Sequence, residues 1–187
     1  VGRIEEGEPR WQIMELDDGG DAGRWSSISL DPEGRPGIAY RVANVDGVSQ
    51  VRYLQARTSA PESRDDWGEP LILQEEPVDP ETLDTGTYPE GTGLFTSQDR
   101  EPGGSAVVAW YNRSQGSLWM TRMNDAGFDE PEMLAGWGHP VPARDGDMGA
   151  NVDLTVDVNG EIHLCYQDGL TDSLRYLSPQ LGIDEWV

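Results

Sequence analysis

The sequence contains no lysine: all 13 of its basic residues are arginine. That removes Schiff-base chemistry, a phosphate-loop lysine and any lysine general base. The one cysteine, Cys165, excludes an internal disulfide and a cysteine-based zinc cluster. Positive charge is scarce, since 35 acidic residues against 13 basic ones give a net charge of −22. Such a chain is repelled by nucleic acid and by anionic membrane surfaces. No run approaches 18 apolar residues, so no transmembrane helix is expected. Val1-Gly2-Arg3-Ile4-Glu5 is not a basic start followed by an apolar core, so no signal peptide is expected; the chain reads as a mature product or a segment of something longer. Two readings of the missing lysine stay open, codon bias toward GC-rich triplets and adaptation to salt.

What is present in quantity is turn-forming and aromatic residues. The chain has 187 residues, the size of one ordinary domain or part of a larger one, with 23 Gly, 13 Pro, 7 Trp and 6 Tyr. The aromatics argue against disorder, because they are large groups that gain by burial. Gly or Pro interrupts almost every window that might hold a helix, and short strand-like runs separated by turns take its place.

These runs recur as a set. One copy has Ser27 to Leu30, a turn at Asp31 to Gly34, then Gly37-Ile38-Ala39-Tyr40, Val51-Arg52-Tyr53 and Trp67. A second has Gly93 to Thr96, Pro102-Gly103-Gly104, Val107 to Trp110, Leu118-Trp119-Met120 and Phe128. A third has Asn151 to Val156, Asp157 to Gly160, Ile162 to Tyr166, Leu174-Arg175-Tyr176 and Trp186. Trp110 to Leu118 and Tyr166 to Leu174 have equal spacing. Four short antiparallel strands repeated in this way form the sequence pattern of a β-propeller blade. The pattern resembles the degenerate blade repeats of secreted bacterial β-propeller proteins, with a consensus near S-x-A-x-D-x-x-G-x-P-x-I-A-Y, then L-R-Y, then W. The first copy matches best, at Asp31, Gly34, Pro36 and Ile38 to Tyr40. The second departs, lacking Asp in its turn and carrying Trp110 in place of Tyr. The sialidase-type S-x-D-x-G-x-x-W box is absent as a full motif.

The resemblance implies an all-β fold, a β-propeller segment of about three and a half four-stranded blades. Residues 1–22 read as a half blade (third strand Val1 to Ile4, fourth strand Trp11 to Glu15), 23–76 and 91–136 as blades, and 149–187 as an incomplete blade ending at Glu185 to Val187. Residues 77–90 and 137–148 read as inter-blade loops. Partial blades leave strand edges to be completed by protein, either another copy or the rest of a longer parent chain.

Long loops on a rigid scaffold carry binding residues. The loop face of the expected fold would hold Asn112 and Arg113, and the loop Gly136 to Pro140, where Trp137 and His139 suit stacking on a sugar ring or a general-acid role. Arg24 beside Trp25 enters a first strand at the mouth of the central channel and suits a carboxylate or a sugar. Arg144, Asp145 and Asp147 place two carboxylates around a glycine, with Asp153 and Asp157 nearby. Clustered carboxylates suit Ca²⁺. No complete calcium loop occurs, so no cofactor is expected, Ca²⁺ being the one candidate; whether a metal site exists is open. Each feature has a plainer reading as packing or solvated loop.

No pair of acids recurs at a recognisable catalytic motif. The leading reading is therefore a non-catalytic secreted or cell-surface interaction module, extracellular or periplasmic, binding protein or glycan through its loop face. The alternatives are a polysaccharide-active hydrolase or lyase and a structural subunit of an extracellular assembly. A direct consequence of the −22 charge is that duplex DNA at about 0.15 M salt should show no measurable binding in a gel-shift or anisotropy titration.

Overall fold

The computed structural model describes residues 11–79 and 88–178 of the protein. Within them the chain is all-β, with three antiparallel sheets. The first holds β1 (Asp21–Leu30), β2 (Pro36–Val45), β3 (Val48–Gln55) and β4 (Leu71–Pro77) in that order. The second holds β5 (Leu94–Arg100), β6 (Ala106–Asn112) and β7 (Ser117–Asn124), with the short β8 (Gly127–Phe128) and β9 (Glu132–Gly136) both pairing with β7. The third holds β10 (Met148–Val156), β11 (Ile162–Asp168) and β12 (Ser173–Leu177). Two single 3₁₀ turns, Arg64–Asp66 and Pro142–Arg144, are the helical elements described.

The three sheets repeat one another residue by residue. Leu30, Arg100 and Val156 pair with Pro36, Ala106 and Ile162, and Ser27, Ser97 and Asp153 pair with Ala39, Ala109 and Cys165. The hairpin between first and second strands is the same each time. The amides of Gly34, Gly104 and Gly160 donate to the carbonyls of Asp31, Glu101 and Asp157 at 2.8, 2.7 and 3.0 Å. All three glycines have positive φ, at 77°, 92° and 86°, the backbone such a turn demands. The second copy lacks the turn aspartate yet forms the same turn, because the glycine supplies the conformation and Asp31 and Asp157 only add side-chain bonds to it.

Sheet packs on sheet through the second strands. Trp110, fully buried, shares a cluster with Ala39, Val51, Tyr53 and Leu73 of the first sheet. Tyr166 does the same with Leu118, Met120, Leu134 and Ala135 of the second. Tyr40 takes the equivalent place in the first sheet, where Met14 and Leu16 cover it. The first strands lie side by side, β5 between β1 and β10, and polar bonds fill the seam. Gln98 Nε2 donates to the carbonyls of Ser27 and Gly37 at 2.6 Å, and Ser97 Oγ donates to Asp153 at 2.9 Å. Arg100 reaches back to Ser29, Tyr53 and Gln55.

One expectation needs correction. Trp11 to Glu15 joins no strand ladder among the described residues. Val1 to Ile4 and Glu185 to Val187 lie outside the described residues. Among the described residues no sheet closes on itself.

Trp110→Ala should cost about 3–5 kcal/mol, the usual loss on truncating a buried large aromatic, read as a shifted urea midpoint with unchanged slope. A loss under about 1 kcal/mol would mean that this contact does not hold the sheets together.

Candidate functional site

Each first strand opens with the same strained step. Gly23, Gly93 and Gly149 have φ of 97°, 88° and 114°, and two residues on, Trp25, Phe95 and Asn151 have φ of 48°, 54° and 55°. A bulge in the ladder falls at each place. Non-glycine residues at positive φ are uncommon and concentrate at functional sites. The bulge turns the side chains of Trp25 and Phe95 toward one another.

The result is an aromatic cluster across the first two sheets. The rings of Trp25 and Phe95 lie 5.8 Å apart, Tyr88 and Phe95 5.1 Å, and Phe95 and Tyr111 6.3 Å. The guanidinium of Arg41 lies 5.5 Å from the Trp25 ring centroid, a cation–π contact. Arg41 is wholly buried and makes no salt bridge among the described residues. Nε donates to the Thr92 carbonyl at 2.8 Å and Nη2 to the Glu90 carbonyl at 2.6 Å, while Nη1 has no partner. Burial, and then the nearby Arg24 charge, push its pKa down to about 10. Arg41 therefore ties the loop carrying Tyr88 to β2.

Arg24 and Trp25 sit at this cluster, Arg24 exposed and paired with Asp21 at 2.6 Å. Arg113 joins from the loop after β6, its Nε 3.3 Å from Glu90. Asp147 joins from the third sheet's side and accepts the Tyr111 hydroxyl at 2.6 Å. Burial, and then that hydrogen bond, hold the Tyr111 hydroxyl well above its ordinary pKa, so it stays a donor. Trp137, 54% exposed, borders the same spot: a Cβ added at Gly116 would meet Trp137 Cδ1 at 2.8 Å and Asp147 Oδ1 at 3.2 Å. The structure thus brings together Arg24, Trp25, Arg113, Trp137 and Asp147.

The other four expected residues are placed differently. Asn112 is fully buried and its Oδ1 accepts the Gln115 amide at 3.1 Å, shaping the turn rather than facing solvent. His139 Nδ1 accepts the Val141 amide at 3.1 Å and Asp145 accepts the Gly138 amide at 2.8 Å, so both brace their own loop. Arg144 lies in the 3₁₀ turn of that loop. Asp145 and Asp147 are engaged by separate partners, and Asp157 accepts the Asn159 and Glu161 amides within its turn. Asp157, Glu161 and His163 come within 4.8 Å of one another. Arg41, Tyr88, Phe95 and Tyr111 were not singled out by sequence, although Gly93-Leu94-Phe95 repeats Gly23-Arg24-Trp25 and carries the signal.

No protein-family model matches the chain, and no curated protein matches it in sequence. Solved structures do match in fold. The endo-arabinase of Bacteroides thetaiotaomicron VPI-5482 aligns over 95% of this chain and 62% of its own, with TM-score 0.53 and 14% identity. A Hadza microbial sialidase aligns over 90% of this chain and 37% of its own, with TM-score 0.54 and 12% identity. A fucose lectin from Kordia zhangzhouensis, in complex with methyl-fucoside, aligns over 87% and 95% with TM-score 0.46 and 14% identity, too distant to bear on the fold. The chain spans less than two thirds of the arabinase and of the sialidase. The arabinase and the sialidase are β-propeller-like, and the likeness concerns the fold alone.

At the same end of the third sheet Asp168 is buried. Burial alone would raise its pKa, but the Arg175 guanidinium at 2.7 Å and the amides of Leu170 and Thr171 outweigh it and hold the carboxyl below its ordinary 3.8. A depressed native pKa stabilises the fold above the unfolded value and loses that contribution as pH falls through the native one. Asp168→Asn should therefore lower the melting temperature at pH 7, and the gap to the parent should narrow below about pH 4. A gap independent of pH in thermal melts would contradict this ion pair.

Proposed function

We propose that the protein is a non-catalytic carbohydrate-binding module that works outside the cytoplasm and binds its glycan across the cluster of Trp25, Phe95, Tyr88 and Tyr111. The observation that carries this is the paired bulge, which spends strained backbone to aim two aromatic residues into one patch rimmed by Arg24, Arg113 and Asp147. Aromatic faces stack on sugar rings, and a few placed polar groups fix hydroxyls. The neighbours in fold are named for carbohydrate work, as arabinase and sialidase, which supports the substrate class. The reading assigns no cofactor to the site. Protein that completes the outer sheets is the second kind of partner in this reading.

A hydrolase would need two carboxyl groups flanking the bond, about 5.5 Å or 6.5–9.5 Å apart. Among the described residues the acids at the cluster are Asp147, engaged by Tyr111, Glu90, engaged by Arg113, and Asp21, engaged by Arg24, which favours binding over turnover. The test is a glycan array with neutral and acidic oligosaccharides, followed by calorimetry on the hits. Trp25→Ala should weaken binding about tenfold or more, with the melting temperature little changed. Equal binding by the variant would remove the cluster from the site, and release of reducing sugar from arabinan or a sialoside would overturn the non-catalytic reading.

A further inference from the structure

The hairpin of the third sheet reverses a charge that the first sheet keeps paired. The three turns between first and second strands correspond bond for bond. The amides of Asp31, Glu101 and Asp157 donate to the carbonyls of Arg35, Ser105 and Glu161 at 3.0, 2.9 and 2.9 Å. In the first sheet this sets a cation against an anion, with Arg35 Nε donating to Asp31 Oδ2 at 2.7 Å. In the third sheet Glu161 takes the place of Arg35, and His163 takes that of Gly37. Two carboxylates therefore share a turn that elsewhere holds an ion pair, and an imidazole stands beside them. Donor atoms of Asp157, Glu161 and His163 lie within 4.8 Å of one another, and all three residues are half-buried.

Two of the three donors are held from outside the cluster. His163 Nδ1 lies 2.6 Å from the Tyr176 hydroxyl, and the two rings stack with centroids 6.1 Å apart. Tyr176 belongs to β12 and pairs with Cys165, two residues on from His163, so the imidazole is fixed from the neighbouring strand. With Nδ1–H donating to that hydroxyl, Nε2 keeps the lone pair that a metal takes, and ligating histidines commonly donate their other ring N–H in this way. Asp157 is fixed by its turn. Its Oδ1 accepts the amides of Asn159 and Glu161, both at 2.8 Å, and its Oδ2 accepts Asn159 Nδ2 at 2.9 Å. A carboxylate offers about four lone-pair sites, so Asp157 can still ligate.

We propose that Asp157, Glu161 and His163 bind a divalent first-row transition ion, of which Zn²⁺ is the type. The ion does in the third sheet what the Arg35 guanidinium does in the first, neutralising the carboxylates of the turn. An imidazole among the donors suits Zn²⁺ rather than Ca²⁺, which takes about six to eight oxygen ligands. Three protein donors leave a fourth position to water. Bonds of about 2.0–2.2 Å draw the donors inward from their present spacing, which rotation of the Glu161 side chain allows. The bound ion pins the β10–β11 turn to β11 and, through Tyr176, to β12. The bulge of β10 lies at its start and this turn at its end, so the metal site and the aromatic cluster occupy opposite ends of the sheets. The inference goes beyond the glycan reading and does not depend on it.

The test is a calorimetric titration of the full chain with ZnCl₂, the protein carrying no affinity tag and stripped beforehand with a chelator. About 0.15 M salt screens diffuse attraction of the ion to a chain of charge −22. One Zn²⁺ per chain should bind saturably, and the melting temperature should rise with its concentration. His163→Ala should raise the dissociation constant at least about tenfold. Glu161→Arg, which copies the turn of the first sheet, should abolish uptake while the circular dichroism and the metal-free melting temperature hold or improve. His139→Ala, which removes the only other histidine, should leave uptake unchanged, and about tenfold excess Ca²⁺ should not displace the ion. No saturable uptake, uptake indifferent to His163→Ala and Glu161→Arg, or equal loss in His139→Ala would each overturn the site. Displacement by Ca²⁺ at that excess would overturn the choice of a transition ion. Sugar binding through Trp25 is read on the metal-free protein, so the glycan reading stands or falls separately.

Discussion

The structure depends on one contact made between successive sheets: a large aromatic in the middle of a second strand, pressed against the face of the sheet before it. Trp110 and Tyr166 make this contact sheet to sheet, and Tyr40 makes it with residues 14 and 16. A sheet with one apolar face and no partner is barely stable in water. Each of these sheets has apolar groups on both faces, so stacking is the only way to bury them. The stack in turn fixes where the first strands run, because each sheet can approach its neighbour only as closely as those aromatics permit.

The first strands carry the cost of that close approach. Where they crowd together, the interface is polar, with Gln98, Ser97, Asp153 and Arg100 bonded across it. At the loop end the crowding is relieved by a bulge with two residues at positive φ. Gly149 shows why glycine is needed there: a Cβ would lie 2.8 Å from Leu118 Cβ and 2.9 Å from Leu118 Cα, too close for any other residue without a backbone shift. The non-glycine member of each pair is held in place by what it touches. For Trp25 this is Phe95 and the buried Arg41. The site is thus a by-product of sheet stacking, rigid because the seam beneath it is rigid.

Arg41 is costly to bury. A buried guanidinium bonded only to carbonyls, with one nitrogen unpartnered, is held at a desolvation penalty. What that expense secures is the position of the Glu90–Thr92 loop, and through it Tyr88.

How much of this is legible in the sequence follows from the range of each interaction. The all-β class, the Gly turns at 34, 104 and 160 and the place of Tyr40, Trp110 and Tyr166 can be read from the residues, because turn chemistry and strand alternation act over a few neighbours and the repeat shows them three times. Arg24 and Trp25 are also legible as an unusual pair at a strand entry. Asn112 and His139 are not: both look like loop residues, and only packing shows that one is buried under its turn and the other braces its own loop. Nor is the union of Trp25 with Phe95, or of Tyr111 with Asp147, since these residues lie far apart in the chain and meet only when sheet is laid on sheet. Trp11 to Glu15 reads as a strand by composition, but a strand exists only with a partner, and this segment pairs with none among the described residues. Local chemistry determined the elements and their repetition; which faces meet, which side chains share a site and which edges stay open were decided by burial in three dimensions.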